Sequence, residues 1–118
     1  EKIHWNDIKG GDLQYKNKKI EVKCFASKGP SSFGPNENWD YICFVDALKY
    51  KQKNFRIILI NLSNKDEIWK NIKINKNQTF YQQCCQKRRP RIRFENLIKQ
   101  IPKKYIINIW EGKIDNML

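Results

Sequence analysis

Three side chains near the start of the chain have the types and spacing for phosphodiester hydrolysis: Asp12, Glu21 and Lys23. Glu21-Val22-Lys23 lies inside Ile20 to Phe25, a β-rich run that alternates residue types and predicts a strand. Residues i and i+2 of a strand share a face, so Glu21 and Lys23 emerge together, and Ile20, Val22 and Cys24 are expected to point away into the core. Leu13 to Tyr15 predicts a shorter strand before it, and Lys16-Asn17-Lys18 a turn, so a hairpin returns the chain past Asp12. Two carboxylates, here with an ammonium beside them, supply hard oxygen ligands of the kind that suits Mg²⁺, with Mn²⁺ as a substitute. Such a metal lowers the pKa of an attacking water and neutralises charge on the transition state. Lys23 would orient or deprotonate that water, or stabilise the developing charge. The spacing alone is a loose pattern, since many solvent-facing strands carry E-x-K as a surface pair. Its context agrees: Gly10-Gly11 breaks the chain just before Asp12, the second segment reads as a strand, and the chain is basic.

The elements that position these residues read as follows. Residues 1–9 suggest a short helix or turn. Gly29 to Pro35 is a Gly/Pro/Ser loop directly after the strand that carries Glu21. Trp39 to Val45 predicts a strand, and Phe55 to Leu62 another whose near-continuous apolar run suggests burial on both faces. Ile68 to Ile74 fits strand or helix. Thr79 to Gln86 predicts a short helix, Phe94 to Ile101 a helix stopped by Pro102, and Tyr105 to Trp110 a late strand. The sum is an α/β chain, with strands gathered early and helices placed later.

The whole has 118 residues, suiting one domain over 1–118, and a formal charge of +12 from 24 Lys+Arg against 12 Asp+Glu. That excess favours a polyanionic partner, because each Lys or Arg set on a phosphate releases condensed counterions. The lysines are spread along the chain rather than gathered on one amphipathic segment, which argues against a membrane surface. No apolar run approaches the ~20 residues that cross a bilayer. The first residue is Glu rather than Met, so the chain is expected to be a processed piece with something N-terminal missing. Cys24, Cys43, Cys84 and Cys85 form no C-x-x-C pair, and His4 is the single histidine. Free thiols in a reducing, cytoplasmic compartment are therefore expected over a zinc site or a disulfide framework.

The run GGDLQYKNKKIEVKCFASKGPSSFGPNENWDYICFVDA resembles the core of the PD-(D/E)XK nucleases, which include type II restriction endonucleases and related phage, homing and large-virus nucleases. The likeness covers roughly residues 10–62. It implies a central four-stranded mixed sheet flanked by helices, with Asp12 and Glu21 as the two metal-binding acids, Lys23 as the motif lysine, and Mg²⁺ as cofactor. Gly11 stands where the motif's name has Pro. In many members an upstream helix supplies a further acid. Glu1 and Asp7 are the candidates here.

DNA is the expected partner. Ser27, Lys28, Ser31 and Ser32, on the loop after the catalytic strand, are candidate phosphate contacts, and Phe33 would pack on a sugar or base. The alternative is an ordinary surface loop whose Phe33 covers the core edge. Arg88, Arg89, Arg91 and Arg93 place four arginines within six residues, and their planar forks suit phosphates and guanine edges better than a plain solvated face. Gln78, Gln82, Gln83 and Gln86 are weaker candidates for reading adenine. Asp40 and Asp46 are expected to face solvent, and the four tryptophans to be core. The expected function is a site-specific, restriction-type endonuclease, and double-strand cutting by a one-site domain implies a homodimer. The other reading is a non-catalytic basic nucleic-acid-binding module.

Overall fold

The computed structural model describes residues 4–5 and 12–113. Local turn chemistry builds its first hairpin. Lys16 and Asn17 both take left-handed backbone, with φ of 49° and 65°. That conformation matches the right-handed twist of paired strands, so a two-residue loop suffices. It joins β2 (Leu13–Tyr15) to β3 (Lys18–Phe25), with Leu13 opposite Ile20 and Tyr15 opposite Lys18. On the outer side β2 pairs with β1 (His4–Trp5), so His4 and Trp5 are strand rather than the expected helix or turn. Glu1, Asp7 and Gly10-Gly11 lie outside the described residues.

From Phe25 the chain crosses over through residues 26–40, which include the short strand β4 (Ser31–Ser32), and returns as β5 (Tyr41–Lys49). β5 runs parallel to β3, so that Glu21 pairs with Ile42 and Lys23 with Phe44. β6 (Asn54–Ile60) and β8 (Ile106–Lys113) continue the sheet antiparallel. The result is a mixed sheet in the order β1-β2-β3-β5-β6-β8, six strands where four were expected. A separate two-stranded ribbon joins β4 to β7 (Arg91–Ile92). The expected helices are present but short: α1 (Phe80–Cys85) and α2 (Phe94–Ile98). The ambiguous stretch from Ile68 contains one 3₁₀ turn, Glu67–Lys70, begun by Asp66, whose carboxylate accepts from the Ile68 N–H.

All of these later pieces pack on one face of the sheet, around Phe33, Trp39, Trp69, Phe80 and Phe94. Phe33 meets Phe80 edge-on at 5.1 Å, Trp39 meets Trp69 edge-on at 5.8 Å, and Phe94 stacks on Phe25 at 5.0 Å. Both buried indole N–H groups donate to backbone carbonyls, Trp39 to Leu62 at 3.0 Å and Trp69 to Ser63 at 2.8 Å. Trp39 and Trp69 are thus core residues, as expected. Phe33 is fully buried, which decides its two readings in favour of the core.

The orientation of β3 reverses one expectation. Glu21 and Lys23 lie on the aromatic-core side, beside Phe44 and Ile42, whereas Ile20, Val22 and Cys24 face the other side. On that other side Ile20, Val22, Cys43, Val45, Ile57 and Leu59 line a broad apolar depression that no helix covers among the described residues. β6 is correspondingly buried on one face, through Ile58 and Ile60, rather than on both.

Helix α1 is held by a reciprocal cap. The Gln82 N–H donates to Thr79 Oγ1 at 3.1 Å and the Thr79 N–H to Gln82 Oε1 at 2.9 Å. A helix of six residues has little intrinsic stability, so its ends count heavily. Thr79→Ala is expected to cost about 1 kcal/mol, read as a lowered urea midpoint at unchanged m-value. An unchanged midpoint would mean that Phe80 packing alone holds the helix.

Candidate active site

The hairpin sets Asp12 directly against the middle of β3. The Asp12 N–H donates to the Ile20 carbonyl at 2.8 Å, and Asp12 Oδ2 accepts from the Val22 N–H at 2.9 Å. These two bonds bracket Glu21, so the first acid is fixed by the backbone of the strand that carries the second. Asp12 is exposed, and one of its oxygens carries no such bond to β3, whereas Glu21 is buried against the core.

Lys23 projects from the same face as Glu21, and its ammonium is the hub of the site. Nζ lies 3.3 Å from Glu21 Oε2 and 3.1 Å from Glu37 Oε2. It donates to the Ser32 carbonyl at 3.0 Å and sits 4.8 Å from the centre of the Phe33 ring. Residue spacing does not single out Glu37. It follows the turn Gly34-Pro35-Asn36, closed by the Glu37 N–H donating to the Gly34 carbonyl at 3.3 Å. The Glu37 carboxylate folds back to accept from the Gly34 N–H. A Cβ at position 34 would fit tightly, 3.0 Å from Glu37 Oε1 and 3.3 Å from an Arg89 guanidinium nitrogen, so both side chains would have to give by a few tenths of an ångström. Glycine leaves carboxylate and guanidinium the room to approach this backbone position together.

Two carboxylates, Glu21 and Glu37, share one ammonium, and the Asp12 charge acts on Glu21 from across the hairpin, which leaves an excess of negative charge. Burial pushes the Glu21 carboxyl up to about 7, helped by a hydrogen bond to Glu37 and by the charges of Glu37 and Asp12, with Lys23 opposing. Burial acts the same way on Glu37, but the Gly34 N–H, the bond from Glu21 and the Lys23 charge outweigh it and hold this carboxyl low. Lys23 Nζ donates to Glu37 Oε1 at 3.3 Å, whereas the buried Glu37 Oε2 makes no directed hydrogen bond and meets Lys23 as an ion pair only. Such a site gains from added positive charge.

That is the electrostatic condition for a hard divalent cation. Among the described residues, no three potential ligands are gathered into a ready-made metal cage. Mg²⁺ does not need one, because it keeps several waters and takes one or two carboxylates plus substrate phosphate. Asp12 and Glu21, adjacent across the hairpin, fit that requirement.

The two segments proposed from sequence as DNA contacts come together beside this site. Ser31 pairs with Ile92 and Ser32 with Arg91 in the β4–β7 ribbon, and the Phe33 N–H donates to the Pro90 carbonyl at 2.9 Å. Arg89 Nε lies 3.4 Å from Ser32 Oγ, on the residue whose carbonyl holds Lys23. Arg93 shares a small groove with Ser27 and Lys28. Arg88 is turned to the glutamines instead, donating to Gln78 Oε1 at 3.0 Å and Gln86 Oε1 at 3.2 Å. Arg91 is exposed on the ribbon. Asp40 and Asp46 stay out of the site. Asp40 accepts from the Lys19 N–H at 2.8 Å, and Asp46 pairs with Arg56 at 3.1 Å. The four cysteines are free thiols. No described helix is long and apolar enough to cross a membrane.

The mixed sheet brings Asp12, Glu21 and Lys23 together on its first hairpin, and the fold is consistent with that of restriction endonucleases. The chain belongs to the Bsp6I restriction endonuclease family, whose model matches residues 4–102. Comparison with curated proteins and with solved structures returned no match. Membership makes the chain a nuclease of restriction type that acts on DNA.

Proposed function

We propose that the chain is a Mg²⁺-dependent endodeoxyribonuclease that hydrolyses phosphodiester bonds of duplex DNA site-specifically. Asp12 and Glu21 are its metal ligands and Lys23 its catalytic ammonium. The observation that carries this reading is the convergence of Asp12, Glu21 and Lys23 at the middle of β3, with Glu21 Oε2 3.3 Å from Lys23 Nζ. The bound cation would supply Lewis acidity toward a phosphate oxygen and an acidified water; Mn²⁺ would substitute. Asp12 and Glu21 hold it in place through a rigid hairpin. Lys23, with its ammonium fixed over the Phe33 ring, presents positive charge to the attacking water or to a phosphate oxygen. Cutting both strands needs two such sites, so the working form is a homodimer.

Supercoiled plasmid incubated with the purified chain in Mg²⁺ tests this. Conversion to open-circular and linear forms is expected, and Asp12→Asn should leave the plasmid supercoiled. A parent that binds plasmid but never cuts it, across Mg²⁺ and Mn²⁺, would favour the non-catalytic binding module instead.

DNA is held, in this reading, by Ser27, Lys28, Ser31 and Ser32 with Arg88, Arg89, Arg91 and Arg93. Arg89 is the strongest of these because its guanidinium lies beside Gly34 and Ser32, at the rim of the catalytic cluster. Arg89→Ala should weaken binding to two unrelated duplexes alike and lower the slope of log K against log salt by about one unit, as expected for one lost phosphate contact. A loss confined to one preferred duplex would make Arg89 a base-reading residue. No loss on either would place the DNA surface elsewhere.

A further inference from the structure

We infer that Glu37 is a positioning residue for the catalytic lysine: its turn-anchored carboxylate holds the Lys23 ammonium in place when Glu21 turns to the metal. This rests on the nuclease reading above. An ammonium has three protons to direct. Lys23 Nζ donates to the Ser32 carbonyl at 3.0 Å and to Glu37 Oε1 at 3.3 Å, and it is ion-paired with Glu21 Oε2 at 3.3 Å. A carboxylate engaged by a divalent cation is a poor partner for a second cation, so metal binding by Glu21 loosens one of the three. Ser32 alone would leave a flexible four-carbon side chain with one hydrogen bond. Glu37 supplies the second point of attachment, and it needs no help from the metal to stay put, because the same oxygen, Oε1, also accepts from the Gly34 N–H. The proton released from Glu21 is then the one directed at the reacting phosphate or its water. Lys23 is thus held by two fixed groups and acts through the third direction.

Glu37→Gln isolates this role, since the amide oxygen keeps the Gly34 bond and only the charge is lost. Cleavage by the parent, Lys23→Ala, Glu37→Gln and the double variant is compared, with each variant's thermal transition as a control for folding. Glu37→Gln should lower kcat by about 10- to 10²-fold at nearly unchanged KM, the scale expected when a reacting group is held about 1 Å out of place. The double variant should cut no more slowly than Lys23→Ala, because Glu37 has nothing left to position. Losses that multiply, or a Glu37→Gln rate equal to the parent's, would overturn the inference. A second readout needs no activity: the ¹H–¹⁵N signal of the Lys23 ammonium should be resolved in the parent and broadened by solvent exchange in Glu37→Gln. An identical signal in both would also overturn it. A parent that does not cleave would refute the nuclease reading, and the ammonium signal would then decide whether Glu37 holds Lys23.

Discussion

Glu21→Gln is expected to lose at least about 10³-fold in cleavage rate, with duplex binding equal to or tighter than the parent's. The substitution keeps the shape of the side chain and removes the charge. Three consequences follow from the geometry. In the proposed site the cation would lose one of its two protein ligands. The conflict of a charged Glu21 with its buried setting, and then with Glu37 and Asp12, which drives the carboxyl up to about 7, disappears with it. Repulsion between the site and the DNA backbone also falls, and this is why affinity should not drop. Because a neutral amide at position 21 relieves that conflict, the variant should melt no lower than the parent. Rate and binding must therefore separate. A variant that cuts within a few-fold of the parent would remove Glu21 from the chemistry, and one that loses binding in proportion to rate would make it a DNA contact.

Phe33→Ala is the largest expected effect on the fold. Phe33 is fully buried and meets Trp39, Trp69 and Phe80 with ring centroids 6.0, 6.3 and 5.1 Å away. Truncating such a ring removes its burial and leaves a cavity that three rigid aromatic neighbours cannot close, at a cost of about 3–5 kcal/mol. Against a total stability of about 5–15 kcal/mol this is a large fraction. The urea midpoint should fall by at least about 1 M, taking m near 1–3 kcal/mol/M. The ring also underlies the Lys23 ammonium, so the folded fraction of the variant should cut more slowly than the parent. A change of less than about 1 kcal/mol would show that the neighbours repack and that Phe33 only edges the core.

The part of the site legible from residue spacing is the part built by local structure. A hairpin with a two-residue turn fixes Asp12 against Glu21, and the strand period fixes Glu21 beside Lys23. Short-range geometry decides both. Glu37 is joined to them only through the crossover at residues 26–40, whose path depends on how Phe33 and Trp39 pack. The one signal in its favour is a Gly34-Pro35-Asn36 turn ahead of an acid, and turns of that kind are common. The pairing of Ser31 and Ser32 with Arg91 and Ile92 is hidden for the same reason. Segments far apart in the sequence meet there because both flank the aromatic core.

The direction in which β3 faces could not be read from alternation. Ile20, Val22 and Cys24 form the more apolar side of the strand, and apolar sides ordinarily face a core. Here the neighbouring strands are apolar on both sides: Ile42 and Phe44 against Cys43 and Val45, Ile58 and Ile60 against Ile57 and Leu59. Which side is covered depends on where the later aromatics go. They go to the side of Glu21 and Lys23, so that pair sits against the buried aromatic cluster rather than on an open strand face. That location accounts for the burial of Glu21 and hence for its raised pKa.

The central claim is that Asp12 and Glu21 bind a divalent cation without which Lys23 cannot act. The most direct test is the initial rate of plasmid cleavage by the parent chain as Mg²⁺ is titrated from a chelated, metal-free start. The account predicts no cleavage without metal, a rate that rises and saturates with Mg²⁺, and no such rise for Asp12→Asn at any concentration on the curve. Cleavage that proceeds at the same rate in chelator as in Mg²⁺, or an Asp12→Asn curve that overlays the parent's, would contradict it.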